Sequence, residues 1–488
     1  MLTISANAQF FLNRTYQEDR PSMLFSSIIR ENTDYKIVGV TSSYNPSHWG
    51  RIFVAKIDSV GTFIQYKSTT DDEIKIYGSF QNSIVKTTRG EYAFAGYSYD
   101  SLPRAILGRY HSSLDTIQIL EYQTPFSYAF QGEFVLEYDT HVFFIAGVRT
   151  DSTTLRSNVM LMKIDSVGNR LWEKYYGLNP VAESTTSFIK LHNGNMMIGS
   201  YRRNFNLTRE LSYTWLLEVD TGGTIVRQWL DPNDSTYGAY GLLQTKDGGF
   251  IYSAQKKAEQ FANSIYTIGT VVKMDNNFNK QWTYEGGGSR SLATGLFDIE
   301  ELEDSSFIAC GNRRYASLPG SGVQSGWVVK LSSSGEVLWE RTYEGFTTSS
   351  ADNFLYDIDL LPDGGFIACG EAVGDSGQFG WILRLDSNGC EVENCLVGID
   401  EVVNPIREEM KVYPNPAKDF VMVEYAGFEN NGLVEILDIY GRIITTQQTT
   451  TEKGRVEINT SGFSSGLYIV RVIGNNIVKE KGRFNIMK

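Results

Sequence analysis

The sequence is short of several things. Among 488 residues there are only 4 cysteines, 4 histidines and 11 prolines. No apolar run approaches the roughly 18 residues that a membrane-spanning helix needs. Four cysteines are too few for a disulfide scaffold, and none sits in the paired C-x-x-C units of a structural zinc site. His48, His111, His141 and His192 form no HExxH pair, and there is neither a P-loop nor a nucleophile elbow. The usual parts of metal-dependent and nucleophilic catalysis are therefore missing, and no metal or cofactor is expected. Positive charge is scarce as well: 44 basic residues face 57 acidic ones, a formal net charge of -13. Such a chain repels nucleic acid and anionic membranes.

What is abundant is glycine, 46 residues, together with 13% aromatics against only 21% charged residues. That balance suits short strands and tight turns, and so an all-β protein. Self-similarity decides the architecture. The segments DNFLYDIDLLPDGGFIACGEA and GWILRLDSNG echo LEDSSFIACGNR and GWVVKLSSSGEVLWERTYEG. One register position recurs at Asp58, His111, Asp165, Asp220, Asp275, Ser332 and Asp386, at spacings of 53, 54, 55, 55, 57 and 54. Six of the 8 tryptophans keep that register: Trp215, Trp327 and Trp381 lie five residues before it, and Trp172, Trp282 and Trp339 seven after. Placement this regular means packing.

Each unit reads as four strands, A to D, with turn residues such as Asp363-Gly364-Gly365 between A and B. Seven such units predict a seven-bladed β-propeller over residues 9–396. The last unit lacks its own strand D, whereas the N-terminus offers FFLNRTY at Phe10 to Tyr16. The sequence therefore predicts that the N-terminal segment closes the ring. The repeats resemble secreted bacterial propellers, somewhat like the quinoprotein-type blade, but the ligands of a quinone cofactor do not map onto residues here.

Two sets of candidate functional residues emerge. The A-to-B and C-to-D turns are short and alike, whereas the B-to-C segments are long and dissimilar. They carry Trp49, Tyr99, Arg202, Arg203, Arg313, Arg314 and Tyr315, an aromatic and arginine surface suited to stacking sugars or pairing with acidic groups. The second set lies on strand A, where Asp298, Glu300, Asp357 and Asp359 align pairwise. Alternation puts each pair on one face of its strand, so that adjacent blades bring up to four carboxylates to one spot of the channel.

The ends differ from the middle. Ala6 and Ala8 make the small-x-small pattern that signal peptidase reads, so residues 1–8 read as the remnant of a signal peptide. Cys390 and Cys395, in NGCEVENC, are placed for a small disulfide staple in an oxidising compartment, while Cys310 and Cys369, in matching FIACG strands, read as small buried residues. Residues 397–409 lose strand alternation and read as a linker.

Beyond it, residues 410–488 form a second module of alternating strands, expected to be a small immunoglobulin-like β-sandwich. Three elements occur in order: Tyr413-Pro414-Asn415-Pro416, then Asp438 with Gly441-Arg442, then Gly466-Leu467-Tyr468. These residues resemble the type A C-terminal sorting domain of type IX secretion cargo. The resemblance implies export through the periplasm, translocation by the type IX machinery, and removal of the module by a surface peptidase. Residues 408–488 hold 10 basic and 10 acidic residues, so the entire net charge belongs to the rest of the chain, 34 against 47. The prolines should set an extended approach to the first strand.

The reading that follows is an exported cell-surface or secreted propeller that binds a glycan or protein ligand. The competing reading is an extracellular glycan-active enzyme, a lyase or glycosidase, working through the channel carboxylates.

Overall fold

The computed structural model describes residues 12–17, 22–31, 34–42, 50–69, 75–78, 84–99, 102–111, 113–114, 117–125, 127–177, 182–204, 211–230, 236–261, 264–287, 294–314, 324–348, 351–391, 411–426, 432–438, 442–449, 453–474 and 477–487. The chain divides into two compact units, Met1–Val397 and Gly398–Lys488. Both are all-β. No described helix is long and apolar enough to cross a membrane.

The first unit is a series of antiparallel four-strand ladders with strands in sequence order. The first comprises Ser22–Glu31, Asp34–Ser42, Arg51–Ile57 and Phe63–Ser68. In the second, strand A is broken into Lys75–Gly78 and Ile84–Lys86, both paired with Tyr92–Tyr99, and Pro103–Tyr110 and Ile117–Tyr122 follow. The third runs Ser127–Asp139, Val142–Asp151, Ser157–Asp165, Arg170–Tyr176, and the fourth Ala182–Lys190, Met196–Asn204, Leu211–Val219, Ile225–Leu230. The fifth has a short strand A, Leu242–Gln244, before Phe250–Phe261, Ser264–Met274 and Lys280–Gly286. The sixth is Gly295–Glu301, Phe307–Arg314, Gln324–Leu331 and Val337–Tyr343.

The seventh ladder draws on both ends of the unit. Asp352–Leu360, Phe366–Gly374 and Gly377–Leu385 supply strands A to C, and Leu12–Tyr16 pairs antiparallel with the last of these, Leu12 opposite Arg384 and Tyr16 opposite Gly380. Single parallel bridges, Gln324 with Asp352 and Ser22 with Gln378, join the sixth, seventh and first ladders into one sheet.

The ladders pack face to face. Each apolar cluster of this unit lies between two consecutive ladders, including the last and the first, where Tyr16, Phe25, Phe53, Ile367 and Ile382 meet. Innermost strands touch their successors in the same cyclic order. This is propeller packing. The tryptophan register now has a cause. Trp327 and Trp381 are fully buried, and a Cβ added to Gly269 or Gly326 on the preceding ladder's strand C would collide with the respective indole at 2.4 and 2.6 Å. Trp172, Trp282 and Trp339, on the outer strands, lie over Gly223, Gly335 and Gly389 in the next ladder's C-to-D turn.

The register residue itself builds that turn. Asp58 Oδ1 accepts from the backbone N–H of Val60 and Thr62, at 3.1 and 2.7 Å, and Asp165, Asp220, Asp275 and Asp386 do the same. Ser332 substitutes a hydroxyl and His111 a ring nitrogen. Asp recurs because its short carboxylate caps backbone donors two and four residues on.

The second unit stacks two sheets. Lys411–Tyr413, Phe420–Ala426 and Lys453–Asn459 form one; Ile443–Thr449, Gly432–Leu437, Gly466–Gly474 and Ile477–Ile486 form the other. Val421, Val423, Val434, Ile436, Val470, Val472 and Phe484 fill the space between them. Pro414 and Pro416 follow the first strand rather than lead into it, and both are preceded by cis peptide bonds.

Candidate functional site

The connections at the two ends of the ladders differ. A-to-B connections are two or five residues long and C-to-D connections four to six, whereas B-to-C connections range from two to nine. The longest, after Asn312-Arg313-Arg314, leads from the sixth ladder's strand B, and the shortest follow Phe261 and Gly374.

The arginines expected in these connections stand on strands instead. Arg202 and Arg203 belong to Met196–Asn204, and Arg313 and Arg314 to Phe307–Arg314. Arg202 lies 3.7 Å over the Trp215 ring and 3.5 Å from Glu183, a carboxylate with no solvent exposure. Burial holds its guanidinium below the usual arginine range. Arg313 repeats the arrangement two ladders later: it lies over Trp327 at 5.6 Å and pairs with Glu340 at 3.1 Å. Both are therefore packing residues that cap a buried tryptophan. Arg203 and Arg314 remain partly exposed, with Arg314 3.4 Å from Asp352. Tyr99 ends the strand Tyr92–Tyr99. Trp49, Tyr315 and Cys395 lie outside the described residues, while Cys390 is disulfide-bonded and Cys310 and Cys369 are buried free thiols.

The four strand-A carboxylates do come together, but not as an open channel cluster. Asp298 Oδ2 accepts from Ile358 N–H at 3.0 Å, reaching from the sixth ladder to the seventh. Asp357 Oδ2 accepts from Ile28 N–H at 2.6 Å and from the Ser27 hydroxyl at 2.9 Å, reaching from the seventh ladder to the first. The two carboxyls also hydrogen-bond each other. Both are buried. Burial, and then the charge of Glu300, lifts Asp298 to about 7, and burial with the Asp298 charge raises Asp357 well above the carboxylate range. Glu300, lifted to about 8 by burial and by Asp359 and Asp357, and Asp359, raised by burial, form the flanking pair. Asp298 and Asp357 thus join neighbouring inner strands through backbone N–H groups.

Several groups escaped the sequence reading. Glu371 accepts from the Tyr356 hydroxyl at 2.6 Å and from Gln378, whose amide oxygen accepts from Ser22 across the closure. Glu183 is fully buried, and the Glu133 Oε2 atom is closed to solvent. Aligning the repeats would have set Glu133 beside Phe297 and Tyr356, which was the available signal. Among the described residues no group of three or more His, Cys, Asp or Glu side chains is arranged to hold a metal ion.

In the second unit the three motif elements serve the sandwich. The Tyr413 hydroxyl donates to Glu424 at 2.5 Å, and Asn415 Oδ1 accepts from Asn485 N–H at 2.9 Å, joining the first turn to the last strand. Asp438 accepts from Arg442 N–H and Nε at 3.0 and 2.7 Å, and Gly441 between them lies outside the described residues. The Tyr468 ring packs on Phe463 and Phe484, with its hydroxyl donating to Ser464 O; Gly466 opens that strand and Leu467 faces outward.

Residues 411–484 match the secretion system C-terminal sorting domain. No curated protein matches the chain. Among solved structures the chain is similar to PorZ, described as an essential surface component of the type IX secretion system of Porphyromonas gingivalis, at 14% identity over 98% of this chain and 70% of that one, with a TM-score of 0.30. It is also similar to the β-propeller domain of the Trilobed protease from Pyrococcus furiosus, at 9% identity over 77% of this chain and 99% of that one, TM-score 0.40. A third is an α-L-arabinanase of Penicillium chrysogenum solved with arabinobiose, at 10% identity over 62% and 92%, TM-score 0.40. Propeller ladders followed by a sorting sandwich define an exported β-propeller protein. The sorting domain is that of type IX secretion, and its destination is the cell surface or the extracellular space.

Proposed function

We propose that this protein is a seven-bladed propeller displayed or released outside the cell as a binding module, with its ligand on the face of the B-to-C connections. The ladder count and the cyclic contacts of the inner strands support a closed ring of seven. The observation that carries the functional reading is the asymmetry of the connections: one end is built from repeated Asp-capped turns, the other from segments of two to nine residues that share no sequence. A rigid scaffold with one variable face is how loops acquire binding roles. The glycan-active enzyme is less well supported, because Asp298 and Asp357 are committed to backbone donors of the next ladder.

A glycan array probed with the full-length chain tests this. Arg203→Ala, Arg314→Ala and Trp49→Ala should each weaken binding about tenfold, roughly 1.4 kcal/mol, with unchanged melting. Turnover of an arrayed glycan that is abolished by Glu300→Gln, with binding untouched by the three face variants, would establish the enzyme instead.

A further inference from the structure

The inner strands share one further feature. In the first, third, fourth, sixth and seventh ladders the A-to-B register slips at one height, leaving Ser26, Glu133, Thr186, Phe297 and Tyr356 as bulged residues. In the fifth, Tyr240 N–H donates to Ser253 O and Ser253 N–H to Gly241 O, which sets Tyr240 at that height too. A bulge re-aims its side chain out of the strand's alternation.

Tyr240, Phe297 and Tyr356 turn toward one another across three ladders, with ring centroids 5.5 and 5.8 Å apart, and Phe354 stacks on Tyr356 at 5.9 Å. None of the four belongs to an inter-ladder core. They form an aromatic arc on the inner strands. Glu133 occupies the same row. Its Oε2 is closed to solvent and lacks a hydrogen-bond partner, and burial lifts the carboxyl to about 8. A carboxyl oxygen buried without a partner costs the fold stability, so its partner is to be sought outside the free chain.

The chemistry of that partner follows from the surrounding charges. Acids outnumber bases on the inner strands near the arc: Glu300, Asp357 and Asp359, with Glu371 bonded to Tyr356, against Arg30 beside Asp359. Arg202 and Arg313 already serve Glu183 and Glu340. Residues 1–397 carry 33 basic against 45 acidic residues, so the field of this unit draws cations. Rings line the row beside its one carboxyl, a lining that suits an organic cation.

We propose that the row of Glu133, Tyr240, Phe297 and Tyr356 binds the ammonium or guanidinium group of a basic peptide, with Glu133 as counter-ion and the rings as a cation–π cage. This rests on the binding-module reading and adds to it a site on the inner strands.

Calorimetric titration of the full-length chain with tri-lysine amide and tri-arginine amide, against tri-glutamine amide and maltohexaose, tests it. The basic peptides should bind and the neutral probes should not. Glu133→Gln should weaken binding at least tenfold while leaving the melting temperature unchanged or higher, and Phe297→Leu should weaken it severalfold. Binding unaltered in Glu133→Gln, equal binding of tri-glutamine amide, or no binding of either basic peptide overturns the proposal. Loss of the basic-peptide signal with persistent, face-dependent binding on the glycan array would overturn this site and leave the module reading standing.

Discussion

The Tyr16 hydroxyl donates to the Gly61 carbonyl at 2.8 Å. Tyr16 is on the N-terminal strand that completes the seventh ladder, and Gly61 is in the C-to-D turn of the first. The same bond recurs where the chain is continuous: Tyr122 to Gly168 at 3.0 Å, Tyr176 to Gly223 at 2.8 Å and Tyr343 to Gly389 at 2.6 Å. The join between the two ends of the first unit is therefore built with the contact used between consecutive ladders. Trp381 adds a second bond across it, its Nε1–H donating to Asn13 Oδ1 at 2.8 Å.

Equal bonds should have equal weight. Tyr16→Phe and Tyr176→Phe should each lower stability by about 1 kcal/mol, the net worth of one buried hydrogen bond, in urea melts followed by tryptophan fluorescence. Removing residues 12–16 should cost far more, because it strips Gly377–Leu385 of its partner and leaves an unpaired edge. A truncated chain that melts with the intact one would show that the N-terminal strand is dispensable.

The carboxyl pair gives a pH dependence of definite sign. Asp298 and Glu300 ionise near 7 and 8 in the fold and near 4 when unfolded, so the folded chain binds more protons in that window. Their contribution therefore falls as pH rises from about 4 to about 8. The turn aspartates act oppositely: Asp165 and Asp275 are held below the usual range by Asn169 and Asn279 and by backbone N–H groups, so their contribution is lost on acidification below about pH 4. Stability should peak between the two. In Asp357→Asn the amide keeps the acceptor for Ile28 and donates permanently to Asp298, so this variant should be the more stable at pH 8, by about 1 to 3 kcal/mol, and show a flatter profile. A wild-type chain that gains stability from pH 5 to 8 would refute this reading of the pair.

How much of this was legible in the sequence depends on how far each residue's partner lies. The Asp58 to Asp386 register and the tryptophans were readable because each answers to a turn or strand of fixed length, and the period of the repeat exposes both. The N-terminal strand was readable because a missing strand D has to be supplied from somewhere. The arginines were not. Nothing near Arg202 in sequence announces that Glu183 and Trp215, on the neighbouring strands, absorb its charge and its plane. Alternation gives Asp298 and Asp357 a face but not a partner, and their partners are backbone N–H groups 60 and 329 residues away in sequence, Ile358 and Ile28. Glu133 was hidden by the bulge, which breaks the period of two on which strand reading depends.

Substitution of the two adjacent arginines should separate packing from surface. Arg202→Ala removes the stacking on Trp215 and leaves Glu183 buried without its cation, a loss of about 3 kcal/mol or more. Arg203→Ala, on the opposite face of the strand, should cost less than about 0.5 kcal/mol. Thermal melts of both variants decide it, and comparable losses would mean that Arg203 is equally embedded.

The last expectation concerns the sorting domain. Residues 411–484 fold as a sandwich with its own core, separate from the ladders, and the second unit begins at Gly398. If export removes this domain, the scissile bond should fall between about Val397 and Glu409, ahead of the first strand at Lys411, because cleavage inside the sandwich would require unfolding Val421, Val434 and Phe484. Peptide mapping of the extracellular protein by mass spectrometry should then recover ladder peptides up to Cys390 and none from Lys411 onward. Substituting Phe484 by Ala, which opens the sandwich core at a cost of about 3 to 5 kcal/mol, should retain the full-length precursor inside the cell. Mature extracellular protein that still carries the peptides of residues 411–484 would show that sorting here proceeds without cleavage.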